Sequence, residues 1–145
     1  MLQRALKIKE KHYGPEHYIV APTLTSLANA YGAMDDSVTK LAMLQCALKI
    51  KEKHYGPEHF NVATTLTNLA NAHGDLGDHA TKRDMLQRAL KIQEQHYGPN
   101  HYKLAAILVN LANAHGELGD PATKLEMLQR ALKIDEAHYG PEHHE

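Results

Sequence analysis

Apolar residues along this chain recur at helical intervals and break at regular punctuation. Leu2, Ala5, Leu6 and Ile8 fall at roughly helical spacing and are followed by Gly14 and Pro15. Gly accepts the left-handed backbone that ends a helix and Pro cannot continue one, so residues 1–13 are predicted to form a helix that stops there. Beyond it Val20, Leu24, Leu27, Ala28 and Tyr31 stand at i, i+4, i+7, i+8 and i+11, one stripe of a further helix. His17 is its expected, if unusual, N-cap, and Pro22, about one turn inside, is expected to delay or kink the start. The stripe returns as Val62, Leu66, Leu69, Ala70 and His73, then as Leu104, Ile107 with Leu108, Leu111, Ala112 and His115.

The return has a fixed period of 42 residues. Met1, Met43, Met85 and Met127 open the runs MLQRALKI, MLQCALKI, MLQRALKI and MLQRALKI, and the copies beginning at Met43 and Met85 agree at 28 of 42 positions. Self-similarity at such a period marks a solenoid that grows by adding layers. The striped helices should end near Gly77 and Gly119, with Asp78 and Asp120 capping the next helix and Pro121 at its first position, where a missing N–H costs nothing. In the first copy Asp35 replaces the turn Gly and must take its conformation at some cost. So short a connection forces the two helices antiparallel.

The second helix of each pair is predicted over 37–55, 79–97 and 121–139. Its wide apolar set (Met43, Leu44, Ala47, Leu48 and Ile50 in the second copy) suits packing on two neighbours. The expected architecture is a single all-α solenoid of seven helices: an orphan second-type helix over 1–13, hairpins over 17–55, 59–97 and 101–139, and a tail over 140–145.

Composition narrows the function classes. Lys plus Arg total 16 against 17 Asp plus Glu, a formal charge of -1, so no electrostatic footprint for nucleic acid or an anionic membrane stands out. The single cysteine, Cys46, stands where the other copies carry Arg4, Arg88 and Arg130, which predicts a surface thiol. With no disulfide possible, no signal-peptide pattern and no apolar run long enough to span a bilayer, the expected location is cytoplasmic.

The pattern L-x-x-L-A-x-x-Y, met by Leu66, Leu69, Ala70 and His73 with Tyr31 keeping the aromatic in the first copy, resembles the tetratricopeptide repeat. Leu86 with Ala89 fit its second-helix part. The run A-L-K-I-x-E-x-x-Y-G-P-E-H followed by V-A-x-T-L-x-N-L-A is similar to the 42-residue repeats of kinesin light chains. The resemblance implies a right-handed superhelix whose concave face, lined by first helices, holds an extended or helical peptide. One departure is Lys40, Lys82 and Lys124, where such repeats usually have a small residue, which predicts a looser or rotated helix crossing.

On that reading the inner face carries a row of Asn29, Asn71 and Asn113 beside a row of Ser26, Asn68 and Asn110, with Thr67, Asp75 and Glu117 nearby. An amide both donates and accepts, so such rows suit the backbone of a bound peptide whatever its sequence. A duplicated gene also repeats any surface residue, Asn included. The positions that are basic in chaperone-binding relatives are Thr25, Thr67 and Val109, Pro22, Thr64 and Ala106, and the Ser26 row, so no carboxylate clamp is expected. Ile19, Asn61 and Lys103, with Ala33, Asp75 and Glu117, vary between copies and are expected to tune which partner fits.

The chain's twelve histidines include His12, His54, His96 and His138 near second-helix ends and His17, His59, His101 and His143 in the loops after them. Equivalent histidines one repeat apart are too distant to share an ion, and no Cys or carboxylate cluster completes a metal site. His73 and His115 read as satisfied core residues. No nucleophile with a base, phosphate-gripping loop or carboxylate pair stands out. The expectation is a non-enzymatic scaffold for a protein or peptide partner, with no cofactor or metal. End-to-end self-association through Leu2, Leu6 and Ile8 is the alternative.

Overall fold

The computed structural model describes residues 2–14 and 17–140, and among these every regular element is an α-helix. They are α1 (Leu2–Tyr13), α2 (Val20–Ala33), α3 (Ser37–Tyr55), α4 (Phe60–Asp75), α5 (His79–Tyr97), α6 (Leu104–Glu117) and α7 (Pro121–Tyr139). Each helix packs chiefly on its neighbours in sequence, more extensively within the pairs α2/α3, α4/α5 and α6/α7 than between them. His143, from the loop row, lies outside the described residues.

The turn inside each hairpin has no spare residue. In the second copy the Asp78 N–H reaches back to the His73 carbonyl at 2.9 Å and the Gly77 N–H to the Gly74 carbonyl at 2.9 Å, closing α4 with Gly77, two residues beyond its end, in the left-handed region (φ 85°). The Asp78 carboxylate then accepts from the Thr81 N–H at 3.2 Å, capping α5. One aspartate thus finishes one helix and starts the next, which holds the pair tightly antiparallel. Asp120 with Thr123 and Asp36 with Thr39 repeat the cap. Asp35 carries the expected strained turn, at φ 61°.

Pro22 does not set the start of α2. α6 begins at the equivalent residue, Leu104, with Ala106 in place of the proline. In both copies the entry is a tight turn, with Val20 N–H to His17 carbonyl and Leu104 N–H to His101 carbonyl. The proline sits within the first helical turn, where an absent N–H breaks no helical bond.

The core is in two parts, a small cluster of Val20, Ala21, Leu24, Ala47 and Ile50 at the first hairpin and a larger one that continues along the stack. Leu44, Val62, Leu66, Leu69, Leu86, Leu104, Leu108 and Leu111 are almost fully buried and belong with Ala28, Ala70 and Ala89 to one continuous cluster. Copies at the ends differ from those inside. Ile8 is 61% exposed where Ile50 is 6%, and Leu132 is 49% exposed where Leu90 is 8%.

Candidate functional site

The three asparagines Asn29, Asn71 and Asn113 occupy one register of α2, α4 and α6, two residues beyond the buried Leu27, Leu69 and Leu111. Asn29 and Asn113 are exposed and Asn71 is half-buried, and none hydrogen-bonds to another described residue. Three positions earlier, about one helical turn, Ser26 is exposed and Asn68 and Asn110 are half-buried. The amides of both rows therefore keep their donors and acceptors available. Thr67 differs: its hydroxyl donates to the Ala63 carbonyl at 3.0 Å, as Thr25 does to Ala21, so its proton is committed within its own helix. Asp75 and Glu117 are exposed at the ends of α4 and α6, and the Glu117 carboxylate lies 3.9 Å from His79 Nε2.

The crossing at Lys40, Lys82 and Lys124 is filled, not loosened. Their stems lie over Gly32, Gly74 and Gly116 of the facing helix, and a Cβ built on those glycines would stand 2.7–2.8 Å from the lysine Cδ. The small residue is therefore supplied by the first helix, and the long side chain by the second. Each Nζ ends 3.2–3.3 Å from that Cβ position, on glycines one turn after Asn29, Asn71 and Asn113.

The histidine rows turn out to be interleaved with aromatic rings. An unbroken series runs His12, Tyr13, His17, Tyr18, His54, Tyr55, His59, Phe60, His96, Tyr97, His101, Tyr102, His138, Tyr139, with successive ring centroids 3.9–5.0 Å apart. The step between repeats is a near-parallel stack, such as Tyr18 on His54 at 3.9 Å and 16°. The loop histidines do a second job: Nδ1 of His17, His59 and His101 accepts the backbone N–H two residues on, at 3.1–3.2 Å. His59 is thereby the N-cap of α4, whereas the N-caps of α2 and α6 are Ile19 and Lys103, so His17, expected to cap α2, bonds instead to the turn that precedes the helix. Among the described residues no three His, Cys, Asp or Glu side chains come together as metal ligands would.

His73 and His115 are core residues but only half satisfied. Nδ1 of each lies 3.7 Å from the carboxylate of Asp78 or Asp120, and each Nε2 is buried without a hydrogen-bond partner. The first copy shows what a longer ring does there: Tyr31 Oη accepts from Gln3 Nε2 at 2.6 Å.

Neighbouring repeats are tied by arginine. Arg88 on α5 donates to Glu52 and to the Pro57 carbonyl, both at 2.8 Å. Arg130 on α7 does the same to Glu94 at 3.0 Å and Pro99 at 2.9 Å. Cys46 holds the equivalent place on α3; it is an exposed free thiol, as expected, and it cannot make the tie. A cleft of about 600 Å³ lies at this junction, lined by Gln3, Arg4, Leu6, Lys7, Glu10, Leu27 and Met43.

Sequence-family models described as tetratricopeptide repeat match residues 62–102 and 83–137, together spanning 62–137. No curated protein matches the sequence. Among solved structures, BtubC (BKLC) from P. vanneervenii superposes with a TM-score of 0.88 at 23% identity, covering 96% of this chain and 56% of that one. The nearly identical TPR-like repeats of a Podosopora anserina protein described as a kinesin light chain give 0.80 at 22% identity, covering 95% and 65%. The chain thus spans a little over half to two thirds of these neighbours' length. At such identities the likeness establishes the fold, a solenoid of antiparallel helix pairs.

Proposed function

Because this chain belongs to the tetratricopeptide repeat family, a family of protein-interaction scaffolds, we propose that it is a non-enzymatic scaffold that holds an extended peptide segment against α2, α4 and α6. The observation that carries this reading is the Asn29, Asn71 and Asn113 row, whose amides make no hydrogen bond to other described residues. A strand of peptide presents N–H and C=O groups that such amides can pair, and successive repeats offer the same pair again. Ser26, Asn68 and Asn110 extend the polar strip, while Asp75 and Glu117 with the variable positions beside them bias the choice of partner.

The test is a random-sequence peptide array probed with the wild type and with Asn71→Ala plus Asn113→Ala. Loss of most captured peptides in the double variant, at unchanged helix content, is expected; an unchanged set of peptides would sink the reading. End-to-end self-association is a second reading, favoured by the exposed Ile8 on α1 and Leu132 on α7. Light scattering over a concentration series decides it, since a strict monomer is incompatible with it.

A further inference from the structure

We infer that the junction between α1 and α3 is an open guanidinium site, in which an arginine side chain of a partner chain seats on Glu10 beside Cys46. At the other two junctions the protein makes this contact from its own sequence. Arg88 donates to Glu52 at 2.8 Å and Arg130 to Glu94 at 3.0 Å, each a guanidinium on one second helix and a carboxylate on the second helix before it. The matching carboxylate of α1 is Glu10, and the residue in the arginine's register is Cys46. The acceptor is kept and its donor is gone. Glu10 is half-buried, as Glu52 and Glu94 are, and its carboxylate makes no ion pair or hydrogen bond with another described residue. Space is present too: the cleft of about 600 Å³ is bounded by Glu10 and Lys7 from α1 and by Met43, one turn before Cys46, from α3. The counterpart of the Pro57 and Pro99 carbonyls is Pro15, outside the described residues, so Glu10 is the group on which the site rests.

The cations around Glu10 do not bar a guanidinium. Lys7 and Arg4 stand three and six residues before it, and Lys91 and Arg88 stand at the same offsets before Glu94, which takes Arg130 all the same. Lys49 follows Cys46 by three residues as Lys91 follows Arg88. Two charges do differ. Arg88 is engaged by Glu52, whereas Arg4 makes no such bond among the described residues, and Ala42 stands before Cys46 where Asp84 and Glu126 stand before Arg88 and Arg130. Both differences make the first site less negative than its counterparts. An ion pair this open to water cannot by itself hold a small molecule, so it selects only for a ligand held by other contacts as well, a polypeptide. Arginine suits it better than lysine, because the planar guanidinium offers a carboxylate parallel N–H donors.

The single, exposed cysteine supplies the test, since a disulfide to Cys46 can stand in for the partner's remaining contacts. The folded protein is equilibrated with equal concentrations of the symmetric disulfides of mercaptoethylguanidine, cysteamine and mercaptoethanol, and intact-mass spectrometry counts the three adducts. The same exchange in concentrated urea gives their intrinsic ratios. Relative to those, the guanidinium adduct is expected to lead the hydroxyethyl adduct by at least about threefold, with the ammonium adduct between them. Glu10→Gln is expected to abolish the lead, and Lys7→Gln, on the same cleft, to keep it. Equal capture of all three, or a lead that survives Glu10→Gln, would overturn the site. Equal capture of guanidinium and ammonium would overturn the assignment to arginine. Agmatine added free, with no disulfide, is expected to leave the alkylation rate of Cys46 by iodoacetamide unchanged; marked protection would make this a small-molecule site and overturn the partner chain.

Discussion

The junction between α1 and α3 differs from the junctions between α3 and α5 and between α5 and α7, although the same 42-residue unit builds all three. At the later two an arginine bridges repeats, held by a glutamate and a backbone carbonyl at 2.8–3.0 Å. At the first, Cys46 leaves that bridge unmade. No described residue of α1 is buried, whereas α3 and α5 each bury a Leu, Ala, Leu, Ile set. Near-identical sequence therefore gives unequal stability, because a repeat's contribution is its fit to its neighbours as much as its own folding. The inner repeats are the rigid body and α1 is the element expected to open first.

The widest gap between the two regions should appear when one side chain is removed from equivalent places. Leu86 is fully buried and Leu2 is 37% exposed at the matching position. Leu86→Ala should lower stability by about 2–5 kcal/mol, the range for a leucine deleted from a packed core, whereas Leu2→Ala should lower it by under about 1 kcal/mol. Urea unfolding followed by circular dichroism measures both, and equal losses would dissolve the comparison.

The arginine bridge comes next. Arg88→Ala removes two charge-assisted bonds from a side chain 38% exposed to solvent, so about 1 kcal/mol is expected after allowance for screening. Cys46→Arg is the converse, offering Glu10 the partner its counterparts Glu52 and Glu94 have, and should raise the melting temperature modestly. A double-mutant cycle of Arg88→Ala with Glu52→Ala isolates the pair itself. A coupling energy near zero would assign the difference between junctions to burial alone.

What could be read in the sequence was local. The glycine stops, the aspartate caps, the apolar stripes and the strained Asp35 all depend on residues within one or two turns of each other. The arginine bridges join residues 36 apart in sequence, six short of the repeat, a register set only when second helices come to lie side by side. The signal available was the single change from arginine to Cys46, which reads as tolerance until the partner is seen. The ring series has the same origin: equivalent histidines read as too far apart to share an ion, and the Tyr and Phe rings that stack between them come from neighbouring repeats. Lys82 over Gly74 was hidden because a small residue was expected on one helix and is supplied by the other. The asparagine rows were visible as repetition, and their free hydrogen-bonding capacity only as geometry.

A smaller effect separates the first hairpin turn from the others. Asp35 holds φ 61° where Gly77 and Gly119 hold 85° and 81°. Asp35→Gly relieves a conformation that L-residues adopt at some cost, and should stabilise by about 0.5–1 kcal/mol. Gly77→Asp should reverse the sign at the second turn. Matching melting shifts of opposite direction in the two variants would show that the turns are otherwise equivalent, and no shift in either would remove strain from the list of differences.

The last difference vanishes at neutral pH and emerges in acid. The carboxyls of Asp78 and Asp120 are held below the ordinary carboxylate range first by the hydroxyls of Thr81 and Thr123, then by the backbone N–H groups of the same threonines. Desolvation opposes this, and the still smaller attractions of His73 and His79 for Asp78, and of His115 for Asp120, add to it. A carboxyl lowered in the folded state contributes stability that is complete above its unfolded value, near about pH 4, and is lost as pH falls through its folded value. Asn caps a helix as well as Asp and does not titrate. Asp78→Asn with Asp120→Asn should therefore melt close to wild type at pH 7 and lose less than wild type between pH 4 and pH 2. An identical acid profile in the two proteins would mean that these caps do not carry the inner repeats' response to acid.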